Sequence, residues 1–129
     1  AKAAGMVEVM KADHHGSAST NQPEALKVLN PQAIIVNSWV DSHPRTSIMA
    51  EMEKTLPKVD LFITNFWQGE RPSGVDDKVT AEEASYVKGY DGNIVVRVVD
   101  GGSKYYIVTT SDSDGKMTVK NVSGPYKSR

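Results

Sequence analysis

The residues best equipped for chemistry lie in one short run, Lys11-Ala12-Asp13-His14-His15-Gly16-Ser17. A neutral imidazole is the commonest divalent-metal ligand and titrates near neutral pH. His14 and His15 are therefore candidates for holding a metal. Alternation over Met6–Ala12 (MVEVMKA) predicts a strand that ends just before them. In α/β proteins ligands bind where strands end at their carboxyl side. Gly16 lets backbone approach a ligand closely. Adjacent residues on extended backbone face opposite sides, so one histidine would bind metal while its neighbour supports it or faces substrate. The residues leave open which does which, and leave open a plain exposed loop. Asp13 would serve equally as a turn or N-cap residue. The one other histidine, His43, precedes Pro44 on a later loop, and the chain has no cysteine. Disulfides, thiolate nucleophiles and thiolate zinc sites are excluded, so metal chemistry must use His14, His15, His43 and carboxylates.

The elements that would position these residues alternate between strand and helix. After a polar loop to Asn21, Pro23 suits the first turn of a helix over Glu24–Leu29. Asn30-Pro31 ends it. Ala33–Val36 (AIIV) is wholly apolar, as a strand buried on both faces requires. A helix over Thr46–Thr55 points Ile48, Met49 and Met52 inward and stops before Pro57. Asp60–Asn65 is a third strand. Phe66–Asp77 reads as a loop, and Thr80 with Glu83 as a capping box that opens a short helix. Three antiparallel strands then follow, Asn93–Val99, Lys104–Thr110 and Met117–Val122, with turns at Asp100-Gly101-Gly102 and Asp112–Gly115. The tail Ser123–Arg129 frays unless Pro125 and Tyr126 dock. The sum is a layered α/β domain, residues 1–129, of strand–helix units followed by a β-meander.

Other residues attract attention and have plainer readings. Trp39, Phe66 and Trp67 could stack a substrate, but loop aromatics more often seal loops onto a core. Asp76-Asp77 and Glu82-Glu83 read as solvated charges at a helix start. Asp112, Asp114 and Gly115 fit a hairpin turn better than a calcium loop, whose remaining ligands are missing. Asp100-Gly101-Gly102 has no helix after it to cradle phosphate. Arg71-Pro72-Ser73-Gly74 offers an anion a single arginine.

Bulk properties narrow the classes further. The chain has 129 residues, 15 Lys+Arg against 16 Asp+Glu, and net charge -1. That length allows one core burying about two-thirds of the unfolded surface. Balanced charge argues against an autonomous nucleic-acid binder. No apolar run approaches the ~20 residues of a membrane span, and Ala1–Gly5 is no signal peptide. Ala1–Gly5 reads as a helix end feeding a strand, as in a small domain or a fragment. The compartment stays open.

The run MVEVMKADHHGSASTNQPEALKVLNPQAIIVNS resembles the segment near the end of the metallo-β-lactamase fold, in the branch related to DNA-internalisation (competence) proteins. In that branch a strand enters a Lys-x-x-His-His-Gly-Ser box, followed by a Ser/Thr-rich loop, a helix, an Asn-Pro or Lys-Pro turn and a buried strand. Asn37-Ser38 and His43-Pro44 continue the likeness, which covers Met6 to Glu51 and resumes near Gly92-Asn93-Ile94-Val95. The resemblance implies a hydrolase in which one or two ions, zinc or manganese, hold a hydroxide that attacks an ester or phosphoester. It makes His14 and His15 the candidate metal and catalytic residues, with Ser17 and His43 lining the substrate pocket. The family's main metal motif, His-x-His-x-Asp-His, does not occur here. The expectation is thus the C-terminal half of an αββα sandwich. Its partner would be the missing N-terminal half, its substrate a small molecule or phosphoester. Alone it would be inactive, with metal absent or weakly held. A sheet face normally covered would be exposed and open to self-association. The alternative is a non-catalytic module that holds a ligand or partner with the loops around Trp39, His43 and Trp67, or a relative whose histidines remain only as structure.

Overall fold

The computed structural model describes residues 4–71, 78–111, 113 and 115–129. Pro72, Ser73, Gly74, Asp76, Asp77, Asp112 and Asp114, named above as anion, carboxylate and turn candidates, lie outside the described residues. Among the described residues the chain is mixed α/β, with a parallel sheet, an antiparallel sheet and three helices. In order these are β1 (Val9–Lys11), α1 (Pro23–Leu29), β2 (Ala33–Val36), α2 (Thr46–Thr55), β3 (Asp60–Ile63), α3 (Ala81–Ser85), β4 (Val87–Tyr90), β5 (Asn93–Val99), β6 (Lys104–Thr110) and β7 (Val119–Lys127). Strands β1-β2-β3-β4 lie side by side, all parallel, and β5-β6-β7 form an antiparallel meander.

The period of two along β2 and β3 sorts their side chains between two layers. Ile34, Val36, Leu61 and Ile63 pack with Leu26 of α1 and Met49 and Met52 of α2. Ala33 and Phe62 face the other way, onto Tyr105 and Ile107 of β6. The parallel sheet is therefore the middle layer, with helices on one side and the meander on the other. That explains why AIIV carries no polar residue. Each large apolar side chain fully buried here contributes about 1.5–3 kcal/mol.

Local signals set several boundaries. α1 begins at Pro23, and Asn30 closes it in the left-handed region at φ 41°. Thr80 Oγ1 accepts from the Glu83 N–H while the Glu83 carboxylate accepts from the Thr80 N–H, the expected capping box. The first and third strands are shorter than expected. β4 has no counterpart in the sequence reading. There Leu61 aligns with Val87 and Phe62 with Gly89, so Lys88 bulges and the two neighbours face opposite layers. A Cβ on Gly89 would lie 2.2 Å from Thr109 Oγ1, so only glycine lets β4 close onto the meander.

The expectation of a frayed tail is corrected, and by the docking named as its exception. β7 runs to Lys127, with Tyr126 stacked on Tyr105 at 5.0 Å between ring centroids. The Tyr126 hydroxyl donates to Asp60 Oδ2 at 2.6 Å. Arg129 bridges to Glu8 and to the carbonyls of Val7 and Asn30. The meander keeps apolar exposure, at Val95, Val96 and Val98 of β5 and at Val119 and Val122 of β7. Among the described residues no helix is long and apolar enough to cross a membrane.

Candidate functional site

The carboxyl ends of β1, β2 and β3 open into three loops, and the singled-out residues gather there. The β1 strand leads through buried Ala12, whose N–H donates to Ile35 O at 2.8 Å, into a tight kinked turn over Asp13–Gly16. Asn21 braces that turn, accepting from the Asp13 N–H at 2.8 Å and donating to Asp13 O at 3.1 Å. The expectation of extended backbone at the histidines is corrected here. His14 and His15 both lie in the left-handed region, at φ 41° and 58°. Two consecutive non-glycine residues there store strain, of order 1–3 kcal/mol each. The bend brings both rings to the same end of the sheet, 6.0 Å apart between centroids, instead of splitting them across a strand.

His15 is held most firmly. Its Nδ1 lies 2.5 Å from the carbonyl oxygen of Asn37, at the end of β2. A carbonyl can only accept, so Nδ1 carries the proton and the neutral ring keeps its Nε2 lone pair for a ligand. A histidine that binds metal is commonly braced in this way through its other nitrogen. Trp39 meets the His15 ring edge-on at 4.4 Å, and His43 lies 6.2 Å away. His14 is exposed, and among the described residues its ring nitrogens take no hydrogen bond. His43 Nδ1 lies 3.0 Å from Ser42 Oγ. Desolvation, with positive charge from His15, Arg45, His14 and Arg71, lowers the His43 pKa below its ordinary 6.5.

The three loops are tied together below the rings. Gly16, at φ +71°, packs against Pro44, and its carbonyl accepts from the Arg45 N–H at 3.0 Å. Ser38 and Thr64 exchange two hydrogen bonds of 2.9 Å, and Ser38 Oγ donates to Asn65 O at 2.6 Å. Arg71, proposed above as an anion contact, reaches the Pro44 carbonyl at 2.8 Å and the Trp67 carbonyl at 3.3 Å, so its guanidinium fastens loops. Ser17 is half-buried. Its N–H closes the turn onto His14 O at 2.9 Å, and its carbonyl accepts from Thr20 Oγ1.

The aromatic residues divide. Phe66 is buried and seals its loop against Tyr90, as expected of a loop aromatic. Trp39, which meets His15, is 67% exposed, and Trp67, whose Nε1 donates to Glu70 O, is 44% exposed. Two contributors escaped the sequence reading. The Asn37 carbonyl is a backbone group with no residue signature, and Arg45 reads as an ordinary helix-start residue.

The donor set fits a divalent ion in kind but not in number. Two imidazoles sharing an ion at Zn–N about 2.0–2.1 Å would bring their centroids to about 5 Å. The observed pairs are about 1 Å wider. No group of three or more His, Asp or Glu side chains placed to hold a metal occurs among the described residues. Protein-family models, curated proteins and solved structures give no match to this chain.

Proposed function

We propose that this chain supplies one side of a metal-dependent hydrolase site acting on an ester or phosphoester, and that it is inactive by itself. The observation that carries the reading is His15, fixed through Nδ1 by the Asn37 carbonyl and left with Nε2 as a donor. His14, on the same strained turn, is the second candidate ligand. The resemblance of Lys11-x-x-His14-His15-Gly16-Ser17 to the box of the metallo-β-lactamase fold supplies the reaction class. On that reading the three layers are the C-terminal half of its αββα sandwich, and the remaining ligands come from an N-terminal half. His15 and His14, together with ligands from that other half, would hold the zinc or manganese ion, which would supply hydroxide near neutral pH and polarise the scissile group. The chain's own part is to orient imidazoles. Asn37 sets the His15 tautomer, and Gly16 and Pro44 hold the turn. Ser17 and His43 stand where the substrate rim would run.

Exposed Trp39 against His15 favours one second reading, a binding module whose rim stacks a ligand without metal. Zinc titration followed by NMR separates the two. The hydrolase reading expects weak, saturable shifts confined to the rings of His14, His15 and His43, abolished by His15→Ala. Saturable shifts on surface carboxylates that leave the three histidines unmoved would remove it.

A further inference from the structure

The Asn37 carbonyl that fixes His15 needs fixing itself, because Asn37 is exposed and lies just beyond the end of β2. Outside a strand ladder, the direction of a peptide group is set by the partners of its two polar atoms. The Asn37 carbonyl and the Ser38 N–H belong to one peptide unit. Its oxygen accepts from His15 Nδ1 at 2.5 Å, and its N–H donates to Thr64 Oγ1 at 2.9 Å. Thr64 Oγ1 donates in turn to Ser38 O at 2.9 Å, so the hydroxyl hydrogen is committed there and a lone pair faces the Ser38 N–H. The Thr64 backbone is held on both sides. Its N–H donates to Val36 O and its carbonyl accepts from the Gly92 N–H, both at 3.0 Å. Thr64 is thus anchored at the end of β3, two hydrogen bonds away from the His15 imidazole.

We propose that Thr64 is a positioning residue for His15: it clamps the Asn37–Ser38 peptide and so keeps the His15 proton on Nδ1 and the lone pair on Nε2. Two effects act in the same direction. By accepting from the Ser38 N–H, Thr64 sets where the Asn37 carbonyl points. It also polarises the peptide, and hydrogen bonds in a chain strengthen one another, so the carbonyl becomes a better acceptor for the Nδ1 proton. The neighbouring hydroxyl does neither. Ser38 Oγ donates to Asn65 O at 2.6 Å, which ties the two loops but touches neither polar atom of the Asn37–Ser38 peptide. What this does for a metal rests on the hydrolase reading above, which needs Nε2 as the donor. Groups that brace a ligand histidine in this way change metal affinity by about tenfold or more.

Nitrogen-15 NMR of the imidazoles tests this on the chain without added metal, at about pH 8.5 where histidine is neutral. Protonated and unprotonated ring nitrogens differ widely in shift, so the tautomer is read directly. Wild type is expected to show His15 with Nδ1 protonated. Thr64→Val keeps the outline of the side chain and removes the hydroxyl. It is expected to move the His15 tautomer ratio about fivefold to tenfold toward the form with Nε2 protonated, the effect of losing one hydrogen bond of ordinary net strength. Thr64→Ser, which keeps the hydroxyl, is expected to show the wild-type ratio. Ser38→Ala loosens the same loops without touching the peptide, and is expected to leave the ratio unchanged. A wild type with Nε2 protonated overturns the proposal. So does a Thr64→Val ratio equal to wild type, or a Ser38→Ala shift as large as that of Thr64→Val. If Thr64→Val does not fold, Thr64→Cys, whose thiol is a weak acceptor, takes its place. The ratios are read without metal, so they decide the role of Thr64 separately from the hydrolase reading, which the zinc titration above addresses.

Discussion

Replacing Gly16 by alanine should damage both the fold and the site, and the size of the effect follows from two separate contacts. Gly16 sits at φ +71°, where an L side chain costs about 1 kcal/mol. A Cβ there would also lie 2.7 Å from the Pro44 Cβ. Neither partner is the far end of a flexible side chain, so backbone must move, at a further cost of about 1–3 kcal/mol. The movement also strains the 3.0 Å bond from the Arg45 N–H to Gly16 O. The total is about 2–4 kcal/mol, a large share of the 5–15 kcal/mol typical of a domain. Gly101→Ala is the control. Its φ is +65° with nothing within 4 Å, so it bears the conformational cost alone, about 1 kcal/mol. Urea unfolding reads the difference as a drop in midpoint of about 1–2 M for Gly16→Ala and under about 1 M for Gly101→Ala, at unchanged slope. NMR should show the His15 and Trp39 ring signals moving in the first variant and not in the second. Equal midpoints for the two variants would refute the contact argument. Unchanged His15 signals in Gly16→Ala would refute the claim that Pro44 and Gly16 position the histidines.

Two further predictions concern the far end of the sheet. Burial, the bond to Asp60 and its charge raise the Tyr126 pKa above 10, and burial first, then Glu8, pushes Tyr105 up to about 12. The folded state therefore keeps these protons when the unfolded chain loses them, and stability should fall as pH rises through 10. Ultraviolet titration should show both phenols ionising together with unfolding, and Tyr126→Phe should cost about 1–2 kcal/mol at pH 7 and flatten that limb. Glu8 runs the other way. Desolvation raises its pKa, but hydrogen bonds from the Arg129 backbone, Gln32 and the Arg129 side chain outweigh it, and the net value is below 4.5. Its contribution is full above pH 4.5 and is lost as pH falls through the lowered value. Denaturant midpoints for Glu8→Gln should therefore lie below wild type at pH 7 and converge with it in acid.

The elements found most readily in the sequence are those with local punctuation. Pro23 and Asn30-Pro31 bracket α1, AIIV marks the buried β2, and Thr80 with Glu83 caps α3. β4 and the end of β7 lack such signals because distant residues hold them. VKGY becomes a strand only through a bulge at Lys88 and the tight contact of Gly89 with Thr109. The glycine, proline and lysine of Ser123–Arg129 read as a tail, yet Tyr126 is anchored by Tyr105 and Asp60, far away in sequence. The site divides in the same way. Residue type alone marks His14, His15 and His43 as the imidazoles to watch. That two consecutive histidines take left-handed backbone, and that Asn37 sets the His15 tautomer, depend on how β1 and β2 end side by side. Exposed Trp39 went against the usual habit of loop aromatics, because His15 gives its ring an edge to meet outside the core.

The claim that the histidine turn is one side of a hydrolytic metal site is tested most directly by reading the encoding gene upstream of Ala1 and expressing any longer polypeptide it specifies. The account predicts a strand followed by His-x-His-x-Asp-His, zinc or manganese bound in stoichiometric amount, and hydrolysis of a chromogenic phosphodiester or ester that His15→Ala abolishes. A start codon or an unrelated domain immediately upstream would contradict it, as would a longer enzyme whose metal content and activity are indifferent to His14→Ala and His15→Ala.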